Sequence, residues 1–212
     1  AYEMQRSLVG SEMCIRDRCN KEDVFRQIVK QRFEERGNLK YTLVYVPEGV
    51  QPDNGTQYAI TDNPSDDVDV DKLIDKYTQI IQQISPTTTV KKFISGIQNR
   101  DEVLRKFSIG DIEVLTSMKC LDEGVDVPRS ELAIFCASTG NPRQFIQRRG
   151  RILRKHPDKH IAIIHDLVVA PVFDPTEDNY NMERNLLKGE LQRVKDFAGL
   201  SENPAYAYTE LE

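Results

Sequence analysis

Between Asn141 and His160 the chain carries Arg143, Arg148, Arg149, Arg151, Arg154, Lys155 and Lys159 against one acidic residue, Asp158. Within that stretch Gln147, Arg151 and Arg154 are spaced by four and then three positions, so a helix sets them on one face. Arginines crowded in this way repel one another unless an anion lies opposite. Polyphosphate is the natural anion, because the planar, permanently charged guanidinium donates two hydrogen bonds to phosphoryl oxygens and suits charge that develops there. Gly150 lets a backbone or a nucleotide approach closely. The plainer alternative is a solvated basic helix face that holds a nucleic-acid backbone without specificity.

Two further segments carry polar chemistry. Phe93-Ile94-Ser95-Gly96 sets a small residue and a glycine before a helix whose free N–H groups suit a phosphate, although a glycine there is commonly only a turn. Val114 to Pro128 begins as a strand, ends it in the hydroxyls of Thr116 and Ser117, passes Lys119 and turns at Gly124. It then places Asp126 beside the rigid Val127-Pro128. The hydroxyls and Lys119 suit phosphate oxygens, and Asp126 suits a ribose hydroxyl or a neighbouring arginine. His156, His160 and His165 lack the carboxylate pattern of a metal or hydrolase site, and no metal is expected.

The elements that must position these segments follow from periodicity. Asn20 caps an expected helix that runs to about Arg36, with Val24, Phe25, Ile28, Val29 and Phe33 at helical spacing. Strands are expected at Tyr41–Val46, Thr88–Ile94, Ile112–Ser117, Leu132–Ala137 and Ile161–Leu167. Helices are expected at Asp71–Ile84, from near Asn99 to Gly110, and at Pro142–Arg149. Alternation at this spacing predicts an α/β domain with a parallel sheet flanked by helices and right-handed crossovers. In such sheets ligands bind beyond the carboxyl ends of the strands, where the Ser95-Gly96 and Thr116–Asp126 segments emerge.

The 212 residues suffice for one such domain with extensions. The expected organisation is a leader at 1–18, the domain at 19–170 with an inserted, partly mobile loop at about 47–70, and a helical C-terminal extension at 171–212. Asn179–Ala198 is expected to form the amphipathic helix of that extension, packed on the domain, with a partner-binding helix as the alternative. Six aspartates between Asp62 and Asp75 face one lysine, Lys72, and are expected as solvated surface or loop. The net charge of -5 argues against a bulk nucleic-acid coat protein. No apolar run of the roughly 18 residues that a membrane span needs is present. Cys14, Cys19, Cys120 and Cys136 show neither metal spacing nor disulfide density, so a reducing cytoplasmic setting is expected. Residues 1–18 have no period, and Met4 to Arg18 resembles a translation of sequencing-adaptor read-through. On that reading the natural protein continues upstream; the alternative is a frayed native N-terminus.

Ser117–Pro128 resembles motif V, and Gln147–Arg154 the Q-x-x-G-R-x-x-R form of motif VI, of superfamily 2 helicases and translocases. Tyr41–Pro47 is similar to motif IV, and Ile94–Phe107 to the segment that touches nucleic-acid backbone in that family. The likeness spans Tyr41–Asp166 and is closest to restriction- and repair-associated DEAD/DEAH-type members. It implies a RecA-like fold and a motor in which ATP, with Mg²⁺, binds between two such halves. Arg151 and Arg154 are then the arginine fingers, Gln147, Gly124 and Asp126 adjoin the nucleotide, and Ser95, Gly96, Arg100, Thr116, Ser117 and Lys119 line the nucleic-acid track. The segment before Gly124 is a residue longer than in DEAD-box proteins, which leaves the phosphate-contacting hydroxyl open. No G-x-x-x-x-G-K-[ST] loop or acidic Walker B box is present. The half that grips ATP and Mg²⁺ is therefore expected to be an N-terminal RecA-like domain of the same parent chain, and this chain alone is expected to be inactive. Nucleic acid, DNA ahead of RNA, is the implied partner. The rival reading is a catalytically inert module that keeps the fold to bind nucleic acid or protein.

Overall fold

In the computed structural model of the chain, the described residues are 2–10, 19–46, 67–94, 96–118, 127, 129–136, 150, 152, 154–170, 181, 184–185, 187–189, 191–192, 195 and 201. Along the chain come β1 (Tyr2–Gly10), α1 (Cys19–Arg36), β2 (Thr42–Tyr45), α2 (Asp67–Ile84) and β3 (Val90–Phe93). They are followed by α3 (Arg100–Ile109), β4 (Val114–Ser117), β5 (Leu132–Phe135) and β6 (Ala162–Ala170). The six strands make one sheet in the order β1-β6-β5-β2-β4-β3, and every pairing is parallel.

β2, β4 and β5 are buried at every position, as near-continuous apolar strands must be when helices cover both faces. Strand alternation divides the core between those faces. Leu43, Tyr45, Leu115, Ala133, Phe135, Ala162 and Ile164 point to one side, where α3 adds Val103 and Phe107 and the chain adds Val127 and Ile152. Val44, Val46, Val114, Leu132, Ile134 and Leu167 point to the other, beneath α1 and α2. Phe25 of α1 meets Tyr77 of α2 edge-on at 4.9 Å, and Tyr45 stacks on its register partner Phe135 at 4.7 Å. Each such buried side chain contributes roughly 1.5–3 kcal/mol over leaving it in water.

The element boundaries differ from expectation at instructive places. Helix α1 begins at Cys19, so Asn20 lies inside its first turn instead of capping it. β2 begins at Thr42 because Tyr41 has a left-handed backbone, φ 62°, which no strand residue adopts. Helix α2 begins at Asp67, so 67–70, expected in the inserted loop, are helical. Asp67 and Asp69 thereby fall in the first turn of α2. Residues 47–66 and the expected helix at 142–149 lie outside the described residues. Tyr2–Gly10, read from sequence as part of a leader apart from the fold, runs along the edge of β6 from Tyr2↔Ala162 to Gly10↔Ala170. Within the expected C-terminal helix, residues 181, 184–185, 187–189, 191–192 and 195 are helical. Among the described residues no helix is long and apolar enough to cross a membrane.

Candidate functional site

Adjacent strands β3 and β4 bring the first two polar segments together at the carboxyl edge of the sheet. Phe93 is the register partner of Ser117, so the turn after β3 emerges beside the end of β4. In that turn the Ile97 amide donates to the Ile94 carbonyl at 3.3 Å, and Gly96 takes φ 79°. A Cβ at Gly96 would meet no atom within 4 Å, so glycine serves the backbone conformation and its outer side is open. Arg100 opens α3, and its guanidinium lies 5.0 Å from the centre of the Phe93 ring, which anchors it against the strand it follows. Asp101 and Glu102 share that first turn, and the Lys106 ammonium holds the Glu102 carboxyl below its ordinary range. An anion placed on the amides of α3 would therefore meet like charge, and the open face of Gly96 is the better approach.

Thr116 and Ser117 diverge. Thr116 is fully buried on the α2 side with its hydroxyl 3.4 Å from that of Thr78, which leaves it no surface to offer a ligand. Ser117 points to the opposite face, is also buried, and reaches the Met118 carbonyl at 3.4 Å, while its own carbonyl accepts the Val46 amide at 2.8 Å. A cavity of about 440 Å³ opens beside them, lined by Thr78, Val90, Lys91, Lys92, Ile94, Gly96 and Ile97. Lys91 and Lys92 were passed over in the sequence because they sit in an apolar strand. The signal was their position on the residues leading into Ser95-Gly96. Lys92 is ion-paired to Asp75 of α2, whereas Lys91 is exposed.

The arginine segment is described at Gly150, Ile152 and Arg154. Gly150 and Ile152 are helical, and Arg154 follows as exposed coil. Ile152 is fully buried in the α3-side core, so the helix is fixed by an apolar anchor between its arginines. A Cβ at Gly150 would meet no atom within 4 Å, so this side of the helix is open to a ligand. Ser95, Lys119, Gly124, Asp126, Gln147 and Arg151 lie outside the described residues.

A charged cluster at the opposite, amino edge of the sheet was not foreseen. Glu131, just before β5, receives Arg36 at 2.6 Å, Arg32 at 3.5 Å and Arg129 at 3.9 Å. Arg129 also stacks over the Tyr41 ring at 4.3 Å and reaches Asp158 at 3.3 Å. These partners are 95 and 99 residues apart for α1 and Glu131, a distance at which no local pattern signals pairing. Burial lowers the affinity of the Arg32 guanidinium for its proton, aided by Arg36 and opposed by Glu131.

Two other titratable groups are removed from chemistry near neutral pH. Burial pushes the Cys136 thiol up to about 12, which keeps it protonated and a poor nucleophile. Burial, with Arg32 nearby, pushes His165 down to about 4, so it is a neutral core residue facing α1. His156 lies on a turn against Arg129 and His160 is exposed, so the three histidines do not converge.

Part of the chain is similar to known proteins. Residues 67–156 match the family model of the helicase conserved C-terminal domain. Over 89 residues the chain is 43% identical to the DNA 3'-5' translocase XPB2 of Sulfurisphaera tokodaii, covering 41% of this chain and 20% of that protein. Over 93 residues it is 32% identical to the ATP-dependent DNA helicase MPH1 of Vanderwaltozyma polyspora, covering 43% of this chain and 9% of that protein. The chain thus matches only a small part of these relatives' length. Its backbone resembles the C-terminal domain of the DEAD-box protein Dbp5 with a TM-score of 0.51 at 13% identity, covering 90% of this chain and 84% of that one. That likeness shows the fold, a RecA-like parallel sheet between helices. Residues 67–156 are thus similar to the helicase conserved C-terminal domain, on a backbone with the RecA-like fold.

Proposed function

We propose that this chain is the second motor half of an ATP-dependent helicase or translocase acting on nucleic acid, DNA ahead of RNA, in a cytoplasmic setting. The observation that carries the reading is the arginine segment. Its helix is pinned into the core by Ile152 and open at Gly150, within a region that matches the helicase C-terminal domain. In the proposed motor a first RecA-like half grips ATP and Mg²⁺, and this half closes against it. Arg151 and Arg154 then donate hydrogen bonds to the phosphoryl oxygens as charge builds on them, with Gln147 and Asp126 orienting the nucleotide. Gly96, Arg100 and Lys119, joined by Lys91, follow the nucleic-acid backbone along the edge formed by β3 and β4, while Ser117, buried like Thr116, shapes that edge from within. DNA is favoured because the relatives matched at 43% and 32% identity are named for action on DNA.

The test is to combine the chain with the first RecA-like half of a close relative and measure ATP hydrolysis with and without single-stranded DNA. Hydrolysis is expected to be DNA-stimulated, and Arg151→Ala is expected to lower kcat by on the order of 10³. An authentic partner half that gives no stimulated hydrolysis with the unaltered chain overturns the motor and leaves an inert binding module.

A further inference from the structure

Immediately after the arginine motif the chain makes a tight turn, 156–159, closed by a bridge between His156 and Lys159. The Lys159 amide donates to the His156 carbonyl at 3.0 Å, and the Asp158 amide donates to His156 Nδ1 at 3.2 Å. The turn is so folded that the Lys159 side chain points back along the chain. Its ammonium donates to the carbonyl of Ile152 at 2.7 Å. That carbonyl belongs to the last described turn of the arginine helix, where carbonyls lack intrahelical partners and a cation is favoured by the helix dipole.

The turn is itself held from another part of the sheet. Arg129 Nη1 lies 3.3 Å from the Asp158 carboxylate and 3.4 Å from His156 Nδ1, while its guanidinium plane rests on Tyr41. Arg129 sits two residues after Val127, which shares the core cluster of Ile152. The Val127 carbonyl accepts both the amide of Ser130, at 3.1 Å, and its hydroxyl, at 2.8 Å. The end of the motif V segment and the exit of the motif VI segment are thus tied by one guanidinium, one ammonium and one apolar contact.

We infer that Lys159 is a positioning residue for the arginine motif, gripping its exit through the Ile152 carbonyl, and that Arg129 holds the turn from which Lys159 acts. The inference rests on the reading of that motif as the nucleotide-facing arginines. Ile152 fixes where the helix lies, and Lys159 fixes how far its last turn can unwind. Arg151 and Arg154 flank the held residue, so slack at Ile152 becomes misplacement of both guanidinium groups. Lys159 touches no substrate; it acts through Ile152.

Hydrogen exchange of the intact chain tests the brace directly. In Lys159→Ala the amides of 150–156 are expected to exchange about tenfold faster, while those of β2 and β4 keep their protection. In the two-half ATPase assay the same variant is expected to lower kcat about tenfold with little change in KM for ATP, because misplaced arginines weaken the transition state more than ground-state binding. Lys159→Arg, which keeps a cationic donor, restores both readouts, and Lys159→Met, which keeps only the stem, restores neither. Unchanged exchange at 150–156 in Lys159→Ala, or rescue by methionine equal to that by arginine, overturns the inference. Should Lys159→Ala loosen the whole sheet, Arg129→Ala carries the comparison: 150–156 loosens locally in it, or the inference fails. Full turnover in Arg151→Ala would instead remove the function proposed above, and the exchange result would still decide the brace.

Discussion

His165 and Arg32 show what a single position can reveal of how the chain answers to pH. His165 is buried against α1, and its Nδ1 has no hydrogen-bond partner among the described residues. In the folded chain its pKa falls to about 4, whereas an unfolded histidine titrates near 6.5. Between those values the unfolded chain binds a proton that the folded chain refuses, so the folded state loses stability as pH falls through about 6.5 toward 4. The shift corresponds to about 3 kcal/mol. Urea denaturation at steps from pH 7 to pH 4 is expected to show that loss, and His165→Gln is expected to flatten the profile over the same window. An equally steep profile in the variant would assign the acid sensitivity to other groups. The strand expected at Ile161–Leu167 already set His165 at a strand position. Its depressed pKa was not legible, because it depends first on burial in the folded core and then on the charge of Arg32, which comes from a helix far away in sequence.

At the level of elements, the sequence was most informative where a signal is local. Helix α3 is an example: Gly110 ends it in the left-handed region, φ 83°, and its amide donates to the Lys106 and Phe107 carbonyls, as a glycine C-cap does. A Cβ at Gly110 would also stand 3.1 Å from the Tyr41 hydroxyl and 3.2 Å from the Lys40 side chain. Gly110→Ala is therefore expected to destabilise the chain by about 1–2 kcal/mol, read as a lower urea midpoint at unchanged m value. A neutral effect would mean that Tyr41 and Lys40 move aside freely. Where the cause is not local the reading stopped short. Nothing in Tyr41 itself announces a positive φ; it is imposed by a ring pinned between Phe107 and Arg129 while its carbonyl serves the amides of Glu131 and Leu132. Residues 67–70 were read as loop because they continue the Asp-, Asn-, Pro- and Gly-rich interval that follows Pro47. Composition marks such an interval without marking where it ends, and α2 begins at Asp67. Tyr2–Gly10 has no period of its own, and its strand is defined by the open edge of β6.

Across the whole molecule, the uneven distribution of charge outweighs the net charge of -5. The basic residues of 143–155, with Lys91 and Arg100 at the β3 edge, predict binding to single-stranded DNA that weakens steeply with salt. The logarithmic slope is expected to be roughly -0.7 for each phosphate neutralised. Fluorescence anisotropy of a labelled oligonucleotide between 50 and 200 mM salt measures it. A flat salt dependence would take the basic segment out of the contact. The candidate site stands out in the sequence as a set of motifs because its residues cluster there. The brace from Arg129 to Lys159 was not, because it exists only once separate strand ends have met.

The strand order also sets a timetable. β2 is central and pairs with both β4 and β5, so it joins the β3-β4 side of the sheet to the β5-β6 side. Its first partner, β4, is synthesised on the order of 70 residues after it, which at ribosomal rates is between about 4 and 14 seconds. For that interval Thr42–Tyr45, a strand buried at every position once folded, has both edges vacant, and the nascent chain must be kept from pairing with its neighbours on the same message.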